Sequence, residues 1–419
     1  MERSRAEPVA VSGVRADERE LKGSAPNALD RWLVKQLSNR IDPNRVRIML
    51  WDEPDPATTD DPPVVVRIGD RKALRKVILH PNLHFGDLYA AGRITVHGDL
   101  LTVISQAYKY TAENPSPVEK LLRGRRLPTP DLADSRRNIH HHYDLGNDFY
   151  ELWLDREALQ YTCAYFAHPA MTIEQAQQAK MHHVCRKMRL KADETVAEAG
   201  SGWGGFAIFM AKNYGAKVRS FNISKQQVAY AREWAKREQV DDKIEFVEDD
   251  FRNITGKYDV FVSIGMLEHA GAGNYKDLGS LIDRVITPNG RGLIHSIGRD
   301  RPEPLNAWIN KRIFPGAYPP TLREMMDIFE SNGLSVLDAE NIRLHYAETL
   351  RAWLARFEEN VDTVRTMFDE AFVRAWRLYL VGSIGAFLAG KLQLFQVLYA
   401  RSGANDIPWT RAHIYEHGD

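Results

Sequence analysis

From Ala28 onward, apolar residues recur every three or four positions, at Leu29, Trp32, Leu33, Leu37 and Ile41, which is the spacing of a helix with one buried face. That helix leads into short strands at 46–51 and 64–68, then 73–79 and 93–96, and together these elements make a small α+β unit over 26–111. The preceding residues, 1–25, are polar and mixed in charge without an apolar period, which predicts a disordered tail. The following residues, 112–139, contain Pro115, Pro117, Pro128 and Pro130 and read as a linker. Beyond it, strands and helices alternate: strands at 195–199, 216–221, 244–247, 258–264 and 292–297, with helices at 206–212, from Ser224, and at 275–285. Such alternation specifies an α/β fold with a doubly wound, mostly parallel sheet, and it sets a second domain at 140–419. Ser224-Lys225-Gln226-Gln227 has capping-box form and starts the helix after the second strand. After Ile297 the pattern is helical and aromatic, with Trp308, Phe314, Tyr318, Tyr346, Trp353 and Trp376. Part of it is expected to roof an apolar pocket over the carboxyl ends of the strands, where such sheets bind ligands.

One apolar stretch, 378–400, is long enough to cross a bilayer at about 1.5 Å per residue. Lys391, Gln393 and Gln396 would then lie in or near hydrocarbon, where a central lysine costs about 2.5–3.5 kcal/mol. A buried helix closing a soluble domain is the favoured reading. Charge is balanced, 56 basic against 56 acidic residues, so no polyanion footprint exists and nucleic acid drops out as a partner. Any membrane attraction must be local, and Arg123, Arg125 and Arg126 form either a solvated helix end or a phospholipid-facing patch. The two cysteines, Cys163 and Cys185, lack metal-site spacing and fit a reducing cytosol. The N-terminus has no apolar core of a signal peptide, so export is not expected. The run His140-His141-His142 reads as solvated side chains, and no metal is assigned.

Candidate chemistry concentrates at 195–205, where an apolar strand breaks into Gly200, Gly202, Gly204 and Gly205 just before a helix. Glycines let the backbone approach a ligand, and the helix N-terminus offers unpaired N–H groups. Gly200, Gly202 and Gly205 satisfy the dinucleotide fingerprint, so NAD and S-adenosylmethionine both have to be weighed. A dinucleotide site wants an acid at the end of the second strand, where this chain has Asn222. Acids stand instead at Glu198, Asp249 and Asp250. A carboxylate at Glu198 repels diphosphate and attracts an ammonium or sulfonium, by a few kcal/mol at about 4 Å in a partly buried site. This layout favours S-adenosylmethionine.

Further motifs join the loop: His142-Tyr143-Asp144-Leu145-Gly146-Asn147-Asp148-Phe149-Tyr150, Tyr161-Thr162-Cys163-Ala164-Tyr165-Phe166, Gly265-Met266-Leu267-Glu268-His269, His295-Ser296-Ile297-Gly298 and Phe314-Pro315-Gly316. Together they resemble the cyclopropane-fatty-acyl-phospholipid synthase family over about 135–410, and more loosely through 85–89 and 96–101 of the first unit. The resemblance implies a class I methyltransferase fold of Rossmann-like type with helical lid insertions. It also implies S-adenosylmethionine as methyl donor, an unsaturated phospholipid acyl chain as acceptor, and a cyclopropane ring as product. A bound bicarbonate ion is the implied base, held by Cys163, Glu268, His295 and Tyr346 with the backbone of Ile297. Implied cofactor contacts are Tyr161, Thr162, Gly200, Gly202, Asn222, Gln227, Asp250 and Phe251, beside Glu198. A homodimer is implied, cytoplasmic and peripherally attached to the inner face of the cell membrane, with the first unit as a candidate lipid-binding part.

The chemistry asks for such residues. Methyl transfer to an alkene leaves a carbocation, so the site needs a base and groups that tolerate positive charge, a role open to the faces of Tyr165, Tyr318 and Tyr346. Thiol and phenol donate to an anion, neutral imidazole donates from one nitrogen, and a carboxylate orients the network or accepts a proton. Taken alone, Cys163 suits a small buried hydrophobe and Gln227 a helix cap. The chain departs from the family pattern at Ser201, where cysteine is usual, at Glu198-Ala199-Gly200, where Asp-Ile-Gly is usual, and at Asn222, where threonine is common. Two rivals stay open: a methyltransferase giving a methyl or methylene branch, and a lipid-binding protein without turnover.

Overall fold

The computed structural model describes residues 24–54, 63–113 and 145–415. The expected tail, the linker with Arg123, Arg125 and Arg126, and the triple histidine lie outside the described residues, apart from the linker's first two positions, which close a helix.

Asn27 starts the first unit, its side chain accepting from the Asp30 N–H in a capping box that opens α1 (Ala28–Ser38). Strand β1 (Val46–Met49) pairs parallel with β2 (Val64–Ile68), and β3 (Ile94–His97) pairs antiparallel with β2 on its other side. Their apolar faces meet Leu74, Val77 and Leu88 in a small core. The segment 73–79, grouped above with the short strands, is instead part of helix α2 (Arg71–Leu79). A short apolar run does not separate helix from strand by period. The local cap decides it: Asp70 accepts from the Ala73 N–H at 2.9 Å and is held by Arg93. Helices α3 (Pro81–Ala90) and α4 (Leu100–Glu113) complete the unit.

The second domain begins, for what matters here, with α5 (Ile173–Met188) and then alternates as expected. Strand β4 (Thr195–Ala199) is followed by α6 (Gly205–Tyr214), β5 (Lys217–Asn222), α7 (Lys225–Arg237), β6 (Ile244–Glu248), β7 (Tyr258–Ile264), α8 (Tyr275–Val285) and β8 (Ile286–Gly298). Two further strands were not expected. They are β9 (Leu334–Asn341) and, after α9 (Arg343–Glu359) and α10 (Glu370–Leu388), β10 (Gln393–Arg401). The seven strands run in the order β6-β5-β4-β7-β8-β10-β9, with β10 antiparallel to both its neighbours and the pairs from β6 to β8 parallel. The order reverses beside β4, so the glycine loop sits at the point where open sheets of this kind bind ligands.

The apolar stretch 378–400 is therefore two elements rather than one helix. Gly390, at φ +70°, ends α10: its N–H reaches the Phe387 carbonyl, while that of Lys391 reaches Ala386 at 2.9 Å, a Schellman closure. By length and composition α10 could cross a membrane, yet 72% of its most apolar window is buried within the protein. Much of that cover comes from the first unit. The Cβ position of Gly385 on α10 lies 2.6 Å from Ile104 of α4, a close approach that a side chain would block. Nearby, Asp87 of α3 accepts from Trp308 Nε1 at 3.1 Å and pairs with Arg312 at 3.0 Å.

Candidate active site

The glycine turn is anchored to the neighbouring strand, since the N–H groups of Gly200 and Ser201 both reach the Phe221 carbonyl, at 2.9 and 3.2 Å. Gly200 adopts φ +97°, a conformation that favours glycine, and Gly205 starts α6 where the Ala158 carbonyl passes 2.0 Å from the place a Cβ would take. A Cβ at Gly202 would meet nothing within 4 Å, so open space faces the turn there.

Asn222, at the end of β5, holds this arrangement from the side. Its Nδ2 donates to the Gly202 carbonyl at 3.1 Å and to Gln227 Oε1 at 2.9 Å, and its Oδ1 accepts from Ser224 N–H. The Gln227 side chain therefore does not close a capping box on Ser224; only the Ser224 half of that motif forms, at 3.4 Å. Gln227 Nε2 is left buried without a partner among the described residues, aimed by Asn222. A cradle with open space at Gly202 and a spare amide donor fits a small polar cofactor such as S-adenosylmethionine.

Asp250 is buried and caps the turn after β6, accepting from the Arg252 N–H and pairing with its guanidinium at 2.9 Å, beside Phe251. Glu198 is placed differently from the expectation. It is 2% exposed and accepts from Ser220 Oγ at 2.5 Å, on β5, rather than standing free at the turn. Burial raises its carboxyl from the ordinary value to about 7, so the attraction expected of a full carboxylate is only partly present at neutral pH.

Glu268 lies in the short helix Leu267–Ala270 just past β7, and His295 lies on β8. The Ile297 N–H donates to Glu268 Oε1 at 2.6 Å, which locks the carboxyl beside His295's strand and engages the Ile297 donor within the protein. Glu268 Oε2 and His295 Nε2 are both buried and without a partner among the described residues. Burial pushes Glu268 up to about 7; burial, reinforced by Lys180, Lys187 and His183, pushes His295 well below its ordinary value and keeps the ring neutral. Each is a buried polar atom that a bound polar group would satisfy, the nitrogen as donor or acceptor and the carboxyl oxygen as acceptor.

The segment 160–166 closes the same region. A Cβ at Gly265 would lie 2.9 Å from Thr162, and the Gly265 N–H reaches the His295 carbonyl, so Thr162 and His295 flank one glycine. Cys163 is fully buried, burial pushes its thiol up and keeps it neutral, and its Sγ donates to the Ala164 carbonyl at 3.1 Å rather than pointing free into the site as an anion ligand would. The Ala164 N–H donates to Thr349 Oγ1 at 3.0 Å, which ties Cys163 to α9, the helix carrying Tyr346. Tyr346 stacks on Phe387 with ring centroids 4.6 Å apart. Tyr161 bonds Tyr379 at 2.8 Å through their hydroxyls and joins an aromatic wall of Tyr150, Trp153 and Trp353. The cation-facing role expected of Tyr165 does not hold: its ring is stacked between His183 at 4.2 Å and His345 at 4.7 Å, so both faces are covered. The Tyr318 hydroxyl donates to Glu324, and its N–H to the Glu268 carbonyl.

Three residues escaped the sequence reading. Trp203, inside the glycine turn, donates to Asn147 at 2.8 Å and packs on Tyr150 at 5.0 Å, coupling the turn to the aromatic wall. Lys180 is completely buried on α5, donates to Thr162 Oγ1 at 3.1 Å and to Gln160, and burial lowers it to about 8. Gln396, opposite His295, is fully buried on β10. For Lys180 and Gln396 the signal was present only as polar residues interrupting apolar runs.

Against known families, residues 131–397 match the one described as mycolic acid cyclopropane synthetase. The chain is 33% identical over 388 residues to a probable fatty acid methyltransferase of Pseudomonas putida, covering 88% of this chain and 96% of that protein. It is 37% identical over 267 residues to the cyclopropane-fatty-acyl-phospholipid synthase of Escherichia coli K12, covering 64% and 68%. Among solved structures it is similar to the mycolic acid cyclopropane synthase CmaA1 complexed with SAH and CTAB, at 26% identity and a TM-score of 0.60, over 65% of this chain and 99% of that one.

Proposed function

This chain belongs to the mycolic acid cyclopropane synthetase family and is an S-adenosylmethionine-dependent methyltransferase of class I fold, and on that premise we propose that it adds a methylene bridge across the cis double bond of an unsaturated phospholipid acyl chain. The observation that carries this reading is that Glu268 Oε2 and His295 Nε2 are buried without partners among the described residues, Glu268 two positions after Met266, which packs on Gly200 of the glycine turn. When bound, S-adenosylmethionine supplies an electrophilic methyl group and bicarbonate supplies a base for the proton that must leave as the ring closes.

The protein's residues do the rest. Gln227 Nε2, aimed by Asn222, donates to the cofactor, while Gly200 and Gly202 let the backbone come close, and Tyr161, Thr162, Asp250 and Phe251 are the further contacts this reading assigns. His295 Nε2 offers a donor to the anion and Glu268 Oε2 an acceptor to its hydroxyl; the Cys163 thiol, which donates to the Ala164 carbonyl at 3.1 Å, joins them by turning its proton to the anion, and Tyr346 is the further ligand this reading assigns. Ile297 contributes through Glu268, fixing that carboxyl by its N–H. The wall of Tyr150, Trp153, Tyr161 and Trp353 excludes water, which would otherwise capture the carbocation formed on the acyl chain.

A lipid substrate takes the protein to a membrane, and the reading extends to a cytoplasmic homodimer that touches the inner face peripherally. Exposed apolar side chains on the first unit, Leu29, Trp32 and Leu79, the last of them close in sequence to Lys72, Arg75 and Lys76, suit that contact. A branch in place of a ring is the second reading, favoured by the similarity to a probable fatty acid methyltransferase.

Incubation with S-adenosylmethionine and vesicles of unsaturated phospholipid tests these together. The expected product gains one methylene in mass per double bond and shows upfield ring-proton signals. Vinyl or simple methyl signals would establish the branch instead, and no mass gain would end the proposal. Protein that stays in the supernatant when the vesicles are pelleted would remove the membrane contact, and a single-chain mass by light scattering would remove the dimer.

A further inference from the structure

His295, Gln396 and Glu340 stand directly opposite one another across β8, β10 and β9. Cross-strand partners share a face, so these three form a polar row across an otherwise apolar sheet. Helix α5 lies on that row with Lys180, His183 and Lys187, three and four positions apart and all buried. Lys187 Nζ donates to Gln396 Oε1 at 2.9 Å and to Glu340 Oε2 at 2.5 Å, and His183 Nε2 meets the same Glu340 oxygen at 2.8 Å. Gln396 Nε2 lies 3.2 Å from His295 Nδ1.

Donor and acceptor roles along this row follow from one end. A lysine ammonium has donors and no acceptor, so the Gln396 atom facing Lys187 must be its oxygen, and the atom facing His295 must be its NH2 group. That amide donates, so Nδ1 accepts and carries no hydrogen. Burial keeps the imidazole neutral, so its one proton is then on Nε2, the unpaired atom in the site.

We propose that Gln396, oriented by the Lys187–Glu340 ion pair, is a positioning residue that fixes His295 as the Nε2–H tautomer and so makes it an anion donor. The inference rests on the reading of His295 as a ligand of the oxyanion. With the other tautomer, Nδ1–H would face the Gln396 NH2 group, and Nε2 would turn a lone pair on the anion. Glu340 keeps the row charged in the right sense: burial alone would raise its carboxyl, but His183 and Lys187 bring it down to about 2. Its negative charge compensates Lys187 inside the protein.

Long-range proton–nitrogen correlation spectra of protein labelled with 15N in its histidine rings test this without substrate or cofactor. The His295 signals are identified by their loss in His295→Gln. The wild type is expected to show a protonated Nε2 and an unprotonated Nδ1. In Gln396→Glu, of nearly the same shape, an acceptor replaces the amide donor, and the pattern is expected to invert to Nδ1–H. Turnover should then fall by ~100-fold or more, as for other wrong-tautomer histidines, with S-adenosylmethionine affinity unchanged. A wild-type ring protonated on Nδ1 would overturn the proposal, as would a pattern unmoved by Gln396→Glu. Should that variant not fold, Lys187→Met, which frees the amide to turn over, is expected to give a mixture of tautomers, and a pure Nε2–H pattern there would overturn the role of Lys187. Absence of lipid product from a protein showing Nε2–H would refute the proposed reaction and leave the tautomer assignment standing.

Discussion

Burial raises the Glu268 carboxyl from 4.5 to about 7, and this acts on folding and on turnover with opposite signs. The native state holds its proton more tightly than the unfolded chain, so the stability it contributes is complete below 4.5 and lost as pH rises through about 7. Glu198, also raised to about 7, adds the same trend. The thermal unfolding midpoint should therefore fall between about pH 5 and about pH 8, and Glu198→Gln, which keeps an acceptor for Ser220, should flatten the fall. Turnover should rise over the same interval, because only the ionised Oε2 is free to accept. Glu268→Gln is expected to remove that rise and lower turnover by roughly 100-fold with cofactor binding intact. Parallel loss of binding and turnover would mark Glu268 as structural. Glu268 and His295 were legible because both fall in the motifs that carry the family resemblance; Glu268 stands just past β7, where loops build sites, while His295 lies within β8. Lys180, Lys187 and Gln396 were not, because they occupy positions that an apolar pattern assigns to the core. A charged residue there is read as a flaw in a membrane span or a helix face until its partner on another element is known.

At the level of elements, the alternation from 195 to 298 could be read from the sequence because each strand is a short apolar run bounded by a turn and a capped helix. The last two strands could not. Strand β10 follows α10 with only Ala389, Gly390, Lys391 and Leu392 between, and the two apolar runs merge in the sequence. What separates them is Gly390 in a left-handed conformation, and Lys391, which looked out of place in a span, supplies the N–H that closes the helix. The Cβ of an alanine at 390 would meet only Gln393, at 3.8 Å, so Gly390→Ala carries the cost of φ alone. Urea unfolding should register a loss of about 1–2 kcal/mol. No loss would mean that the turn relaxes without a left-handed residue. Helix α2 is the converse case, in which a run that suits a strand is turned into a helix by the cap at Asp70.

For the whole molecule, the first unit is a wall of the second domain, because α3 and α4 cover α10 while Asp87 grips Trp308 and Arg312. Protein lacking residues 1–113 should bind a hydrophobic dye and lose solubility, since each large apolar side chain uncovered costs about 1.5–3 kcal/mol. A truncated protein that remains soluble with an unchanged melting temperature would show that α10 stands unaided. The close fit of Gly385 under Ile104 carries a consequence for descent. An enzyme of this architecture cannot shed its front part by deletion alone. The greasy flank of a helix far along the chain must be repainted with water-tolerant side chains in the same lineage, and a trace of that repainting belongs at 385.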